Sequence, residues 1–204
     1  MIRPLYFHNP NQEGFEAIIK HLHSKNYKFI SIEELYSRLE KNDTKGKLAY
    51  ISFDDGWQGN LKLIPIIEKY NVHITIFIAV NPIMSGNFWW EFVAKKVGYT
   101  QMQNFKNLPH DEFESQLKKI KTEVADLQRS AMTIDELETI TKHPLISIQS
   151  HTINHPILTK LPDDLLDFEL SESQKQLEKI TGKSIFAFSY PCLLYTSPSP
   201  RDST

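Results

Sequence analysis

Short apolar runs alternate along this chain with longer amphipathic stretches, and that rhythm constrains the fold more than any other feature. Pro4–Phe7, Leu48–Phe53, His73–Val80, Leu145–Ser150 and Ser184–Tyr190 read as strands, being brief, apolar and rich in β-branched or aromatic residues. Between them lie segments with helical periodicity. Such alternation specifies an α/β domain, with helices packed on a sheet.

The helices carry start and stop signals. Gln12–Ser24 places Phe15, Ile18, Ile19 and Leu22 on one face. Ser31 followed by Glu34 forms a capping box that opens a helix through Leu39, and Thr133 with Glu136 opens another to His143. Asn60–Tyr70 reads as a helix kinked at Pro65. Pro162–Thr181 is a helix closed by Gly182. The stretch from about 82 to 130 breaks the rhythm. In it Phe113, Leu117, Ile120, Val124 and Leu127 repeat every three or four residues, which predicts a helical insertion packing one stripe on the α/β body. Trp89 and Trp90 also lie there. If exposed, either could stack on a sugar ring as a substrate contact.

Composition narrows the function. The 204 residues suit one domain with a real core. A net charge of -2 gives no basic field of the kind a nucleic-acid partner needs, whereas a weakly charged polymer fits. Cys192 is the sole cysteine, which excludes an internal disulfide and cysteine-type zinc sites. Any metal must therefore be held by histidine and carboxylate. No run resembles a secretory leader or reaches transmembrane length, so the default expectation is a cytoplasmic chain. The sequence is silent on oligomeric state.

Two clusters carry chemistry. Ser52-Phe53-Asp54-Asp55-Gly56 ends an apolar strand, where sheets and barrels of this class place their sites. Alone, it could equally be an Asp-Gly turn. His151-Thr152-Ile153-Asn154-His155-Pro156 follows a second strand, with imidazoles four residues apart. Alone, these could be two unrelated surface histidines. Both clusters sit at strand C-terminal ends, where they can converge. One carboxylate and two imidazoles make a three-ligand set with open positions, a catalytic rather than structural arrangement, and leave a second carboxylate free to act as a base.

These motifs resemble those of the polysaccharide deacetylase family of the NodB-homology type. Ser52–Gly56 matches its T/S-F-D-D-G motif. His151, Thr152 and His155 match H-S/T-x-x-H, and Phe188-Ser189-Tyr190-Pro191 matches the start of an aromatic-Pro motif. The likeness runs from Arg3 to Pro191. It implies a distorted parallel (β/α) barrel, incomplete at its C-terminal end, and removal of N-acetyl groups from an N-acetylhexosamine glycan. An O-acetyl esterase or a non-catalytic glycan-binding module is the alternative. It further implies Asp55, His151 and His155 as ligands of a divalent metal, zinc first, and Asp54 as general base. Thr152 would orient the histidine loop, and Tyr190, Pro191 and Cys192 would border the oxyanion and substrate. His8 could edge the site, but a satisfied structural histidine is the expectation, and Asn60 is expected to be structural too.

The match fails after Pro191, where the family continues with an aromatic residue and glycine but this chain has Cys192-Leu193-Leu194. Residues 192–204 are Ser/Pro-rich and aperiodic, and read as a non-native tail. The family's later Leu-x-His, which supplies the general acid, has no counterpart. The resemblance therefore predicts that this 204-residue chain turns over little, since losing such an acid lowers rates by about two to four orders of magnitude.

Overall fold

The structure, a computed structural model, describes residues 2–191. In chain order its elements are β1 (Ile2–Phe7), α1 (Gln12–Ser24), β2 (Lys28–Phe29), α2 (Ile32–Glu40), β3 (Leu48–Phe53), a 3-10 turn (Gln58–Leu63), α3 (Ile64–Lys69) and β4 (Ile74–Ile78). Then come α4 (Val80–Ser85), α5 (Trp89–Val97), α6 (Tyr99–Phe105), α7 (His110–Glu123), α8 (Ile134–Thr141), β5 (Ile146–Ser150), a second 3-10 turn (Leu158–Lys160) and α9 (Asp163–Thr181). The sheet runs β1-β3-β4-β5, with β2 beside the start of β3, and every pairing is parallel. Parallel pairing requires crossovers, and the helices supply them.

Alternation along β3 sorts its side chains to two destinations. Ala49, Ile51 and Phe53 join Ile74, Ile76, Ile78, Ile146 and Ile148 in the main core. Phe15 and Ile19 of α1, Ile67 of α3, Leu137 of α8 and Leu177 of α9 cover that face. Each fully buried aliphatic or Phe side chain contributes about 1.5–3 kcal/mol by leaving water. On the other parity, Leu48 and Tyr50 pack with Phe77, Ile30 and Ile32, and Ser52 continues that line toward Asp54 at the strand end. The register pairs Ser52 with Tyr6 and Phe53 with Phe7, so β1 delivers His8 beside Asp54.

The caps follow from sequence. Asn11 Oδ1 accepts from Gly14 N at 2.7 Å to start α1. Thr133 and Glu136 form a complete reciprocal box. Ser31 Oγ accepts from Glu34 N, but Glu34 turns its carboxylate to Lys28 and Arg38, so only half of that box forms. Gly182 ends α9 at φ 65°, the left-handed cap.

Three expectations are corrected. Pro65 does not kink a helix: the preceding turn is 3-10, and Pro65 sits in the first turn of α3, where a missing N–H leaves no bond unmade. The stripe on the insertion does not pack on the sheet. Phe113, Leu117 and Ile120 bury against Trp89, Val93, Met102 and Phe105, so α5–α7 build a satellite core of their own, and the helix stops at Glu123, short of Leu127. Ser184–Tyr190 is extended but not a regular strand. It meets β5 through one bridge, Ser150 with Phe188, and hydrogen bonds of 3.2 and 3.1 Å. Cys192 and the expected tail at 192–204 lie outside the described residues. Among the described residues, no helix is long and apolar enough to cross a membrane.

Candidate metal centre

Asp54 and Asp55 leave the end of β3 in a tight turn. Asp54 N donates to Phe7 O at 2.9 Å, and Gly56 N donates to Asp54 O at 3.0 Å. Asp55 adopts φ 77° and Gly56 φ 91°. Aspartate tolerates the left-handed region better than most residues. At Gly56 a Cβ would lie 2.8 Å from Ile78 Cδ1, so only glycine lets the turn press against β4. The result sends Asp55 inward, 2% exposed, while Asp54 lines an open cleft of about 730 Å³.

The histidine loop leaves β5 in a parallel way. His151 N donates to Ile78 O, Val80 N to Thr152 O and Asn81 N to Ile153 O, tying the loop to the end of β4 and to α4. Thr152 and His155 are left-handed, at φ 73° and 56°. Thr152 Oγ1 accepts from His155 N at 3.0 Å, which closes the turn that brings both imidazoles to one side. The buried rings lie with centroids 4.9 Å apart.

Here the two clusters meet. Asp55 Oδ1 is 3.4 Å from His151 Nε2 and 3.1 Å from His155 Nε2. His151 Nδ1 is 2.9 Å from the carbonyl oxygen of Ser189, which can only accept, so Nδ1 donates there and Nε2 is the nitrogen turned toward Asp55. Among the described residues, nothing donates an aligned hydrogen bond to the buried Oδ1. Acceptors converging on one point fit a bound cation. Tetrahedral bonds of about 2.0–2.2 Å put ligand atoms roughly 3.3 Å apart, matching the observed separations. Burial alone would raise the Asp55 carboxyl, but the two imidazoles beside it outweigh burial and hold it far below the usual carboxylate range. Burial pushes the Asp54 carboxyl up, with Asp55 adding to the effect and His151 opposing it.

These observations settle the family: residues 41–202 match the polysaccharide deacetylase family model. The chain belongs to the polysaccharide deacetylase family. The Bacillus subtilis protein YxkH, named as a polysaccharide deacetylase, is 24% identical over 184 residues, covering 89% of this chain but only 50% of its own length, so the chain spans half of that relative. The Streptococcus pyogenes deacetylase PplD, solved in complex with acetate, matches with a TM-score of 0.64 at 20% identity over 93% of this chain and 72% of that one. IcaB from Ammonifex degensii matches at 0.66 and 16% identity over 98% and 77%. At such identities the likeness shows the fold, the (β/α) barrel of the polysaccharide deacetylases.

The other residues singled out in the sequence divide. Trp90 lines the cleft and packs edge-on against His155 at 4.7 Å. Trp89 does not reach the cleft. It is 4% exposed, and its indole N–H donates to His155 O at 3.0 Å, so the satellite core consumes the face that might have met a sugar. His8, Phe188, Ser189 and Tyr190 border the cleft, and Pro191 is buried. Asn60 Nδ2 donates to His8 O at 2.8 Å, steadying the segment after β1.

Sequence reasoning missed three side chains. Trp57 Nε1 donates to Asp55 Oδ2 at 2.8 Å. Glu169 of α9 holds the histidine loop from behind. Glu91 caps Phe88 N at 2.8 Å and accepts from Ser130 Oγ at 2.6 Å, anchoring the insertion. A Trp two residues after a candidate ligand was a usable signal for the first. Glu169 lies fourteen residues beyond the loop, and nothing local marks it.

Proposed function

We propose that this domain is a divalent-metal-dependent N-deacetylase of glycans that contain N-acetylhexosamine. The convergence of Asp55 Oδ1 with the two Nε2 atoms carries the reading, because it presents lone pairs to one point and leaves the cleft side open. A cation held there, zinc being the first choice for this donor set, would supply Lewis-acid polarisation of the acetyl carbonyl and make water more acidic.

The chain's own residues do the rest. Asp54 lines the cleft beside the triad with a buried oxygen that has no hydrogen-bond partner among the described residues, and its raised affinity for a proton suits it to take one from the attacking water. Trp57 fixes Asp55 so that Oδ1, not Oδ2, faces the imidazoles. The segment Phe188–Tyr190 borders the reacting group, with His151 fastened to it through Ser189 O. Opposite, Tyr99 and Gln103 of α6 and Lys106 at its C-terminal cap line the cleft, a polar and aromatic wall suited to neighbouring sugar rings. A cleft of this size accommodates more than a small acetamide, which favours an oligomeric substrate.

The test measures acetate released from N-acetylglucosamine oligomers, with and without chelator, for wild type and Asp54→Asn. Expected is slow, metal-dependent release that Asp54→Asn abolishes while still binding the cation. Release that survives chelation or Asp54→Asn overturns the proposal, as does a wild type that binds no divalent cation. A parallel arm with O-acetylated sugars separates amide from ester specificity.

A further inference from the structure

Glu169 is 5% exposed, lies on α9 and touches none of the reacting groups. A buried carboxyl needs partners, and the histidine loop supplies them to this one. Oε2 accepts from Ile153 N at 2.8 Å and from Asn154 N at 2.9 Å, while Oε1 accepts from Asn154 Nδ2 at 2.5 Å. Asn154 Oδ1 in turn accepts from Asn81 Nδ2 of α4. The contacted residues lie between the two imidazoles, in a turn whose flanking residues Thr152 and His155 are both left-handed. Two adjacent backbone N–H groups pointing the same way are what such a turn exposes, and a carboxylate is the side chain that satisfies both with one oxygen.

We infer that Glu169 is a positioning residue for the metal centre: it clamps residues 153–154 so that the Nε2 atoms of His151 and His155 stay aimed at Asp55. This rests on the reading of the triad as a cation site. The network also has a defined polarity. Glu169 offers only acceptors, Asn154 gives its amide N–H to Glu169 and its amide oxygen to Asn81. A glutamine at 169 can still accept both backbone N–H groups but turns an NH2 toward the Asn154 NH2. Changing Asn154 to aspartate restores an acceptor facing that NH2 and still accepts from Asn81.

The experiment titrates Zn2+ into the metal-free chain against a competing chelator, for wild type, Glu169→Gln, Asn154→Asp and the double variant, and records apo thermal unfolding of each. Loss of a hydrogen-bond partner held directly by a metal ligand lowers affinity by about 10–100-fold, and Glu169 acts through the loop backbone, so the lower end of that range applies. Glu169→Gln is expected to fall in that range with the apo fold retained by circular dichroism. The double variant is expected to recover to within a few-fold of wild type. A purely structural role would lower the apo unfolding temperature while leaving Zn2+ affinity unchanged, and that result overturns the inference. So does a double variant no tighter than Glu169→Gln. Wild type that binds no cation overturns the parent reading as well, whereas wild-type binding with an unaffected Glu169→Gln overturns this inference alone.

Discussion

Trp57→Phe removes one hydrogen bond at the proposed metal centre. Phenylalanine keeps an aromatic ring near Phe88, whose centroid lies 4.4 Å from that of Trp57, but loses the fused five-membered ring and with it the indole N–H that reaches Asp55 Oδ2 at 2.8 Å. A hydrogen bond to a charged group contributes about 1.5–3 kcal/mol, which corresponds to roughly 10- to 150-fold in an equilibrium constant. Trp57 is half-buried and lines the cleft, so water can partly replace its N–H. The loss should therefore fall at the lower end, about tenfold in divalent-metal affinity. Without the indole, Asp55 can rotate and share its oxygens between orientations, only one of which suits both imidazoles. The assay is competition titration of Zn2+ into the metal-free protein, with unfolding of the apo form as a control for folding. An affinity unchanged within twofold, at wild-type apo stability, would falsify the claim that this bond orients the ligand.

Other outcomes follow from the packing. Phe88→Ala removes a fully buried ring stacked at 4.7 Å on Trp90, and should lower stability by about 3–5 kcal/mol, or roughly 6–20 °C in Tm by calorimetry. Gly56→Ala places a methyl against Ile78 at a backbone φ of 91°, so it should cost more than about 1 kcal/mol and weaken metal binding together. Tyr50 is buried, and burial pushes its phenol up to about 12. A raised folded-state pKa means the stabilisation is complete below about pH 10, the unfolded value, and is lost as pH rises from there toward 12. Tyr50→Phe should be near-neutral at pH 7 and should flatten the alkaline decline in denaturant titrations.

Local signals explain what was legible. Leu48–Phe53 announced a buried strand because its run is apolar, and all six residues are buried; Thr133 and Gly182 announced helix ends because capping chemistry is local. The Asp pair and the two histidines could be paired in thought because both follow strands, and a parallel sheet brings strand ends to one rim. What the sequence hid is non-local. Whether the Phe113–Ile120 stripe faced the sheet or its own neighbours depended on Trp89 and Phe105, and no periodicity encodes that choice. Trp89 and Trp90 are adjacent, yet helix geometry sends one into the satellite core and the other to the cleft. The partners of Glu169 are hydrogen bonds to backbone, which leave no pattern in side-chain identity.

The most direct measurement is X-ray absorption of the protein loaded with one equivalent of Zn2+, recorded for wild type and for His155→Ala. The account predicts a single site whose first shell holds two imidazole nitrogens and carboxylate or water oxygens at about 2.0–2.2 Å, with one imidazole lost in the variant. A wild-type spectrum without two imidazoles, or one that His155→Ala leaves unchanged, would contradict it.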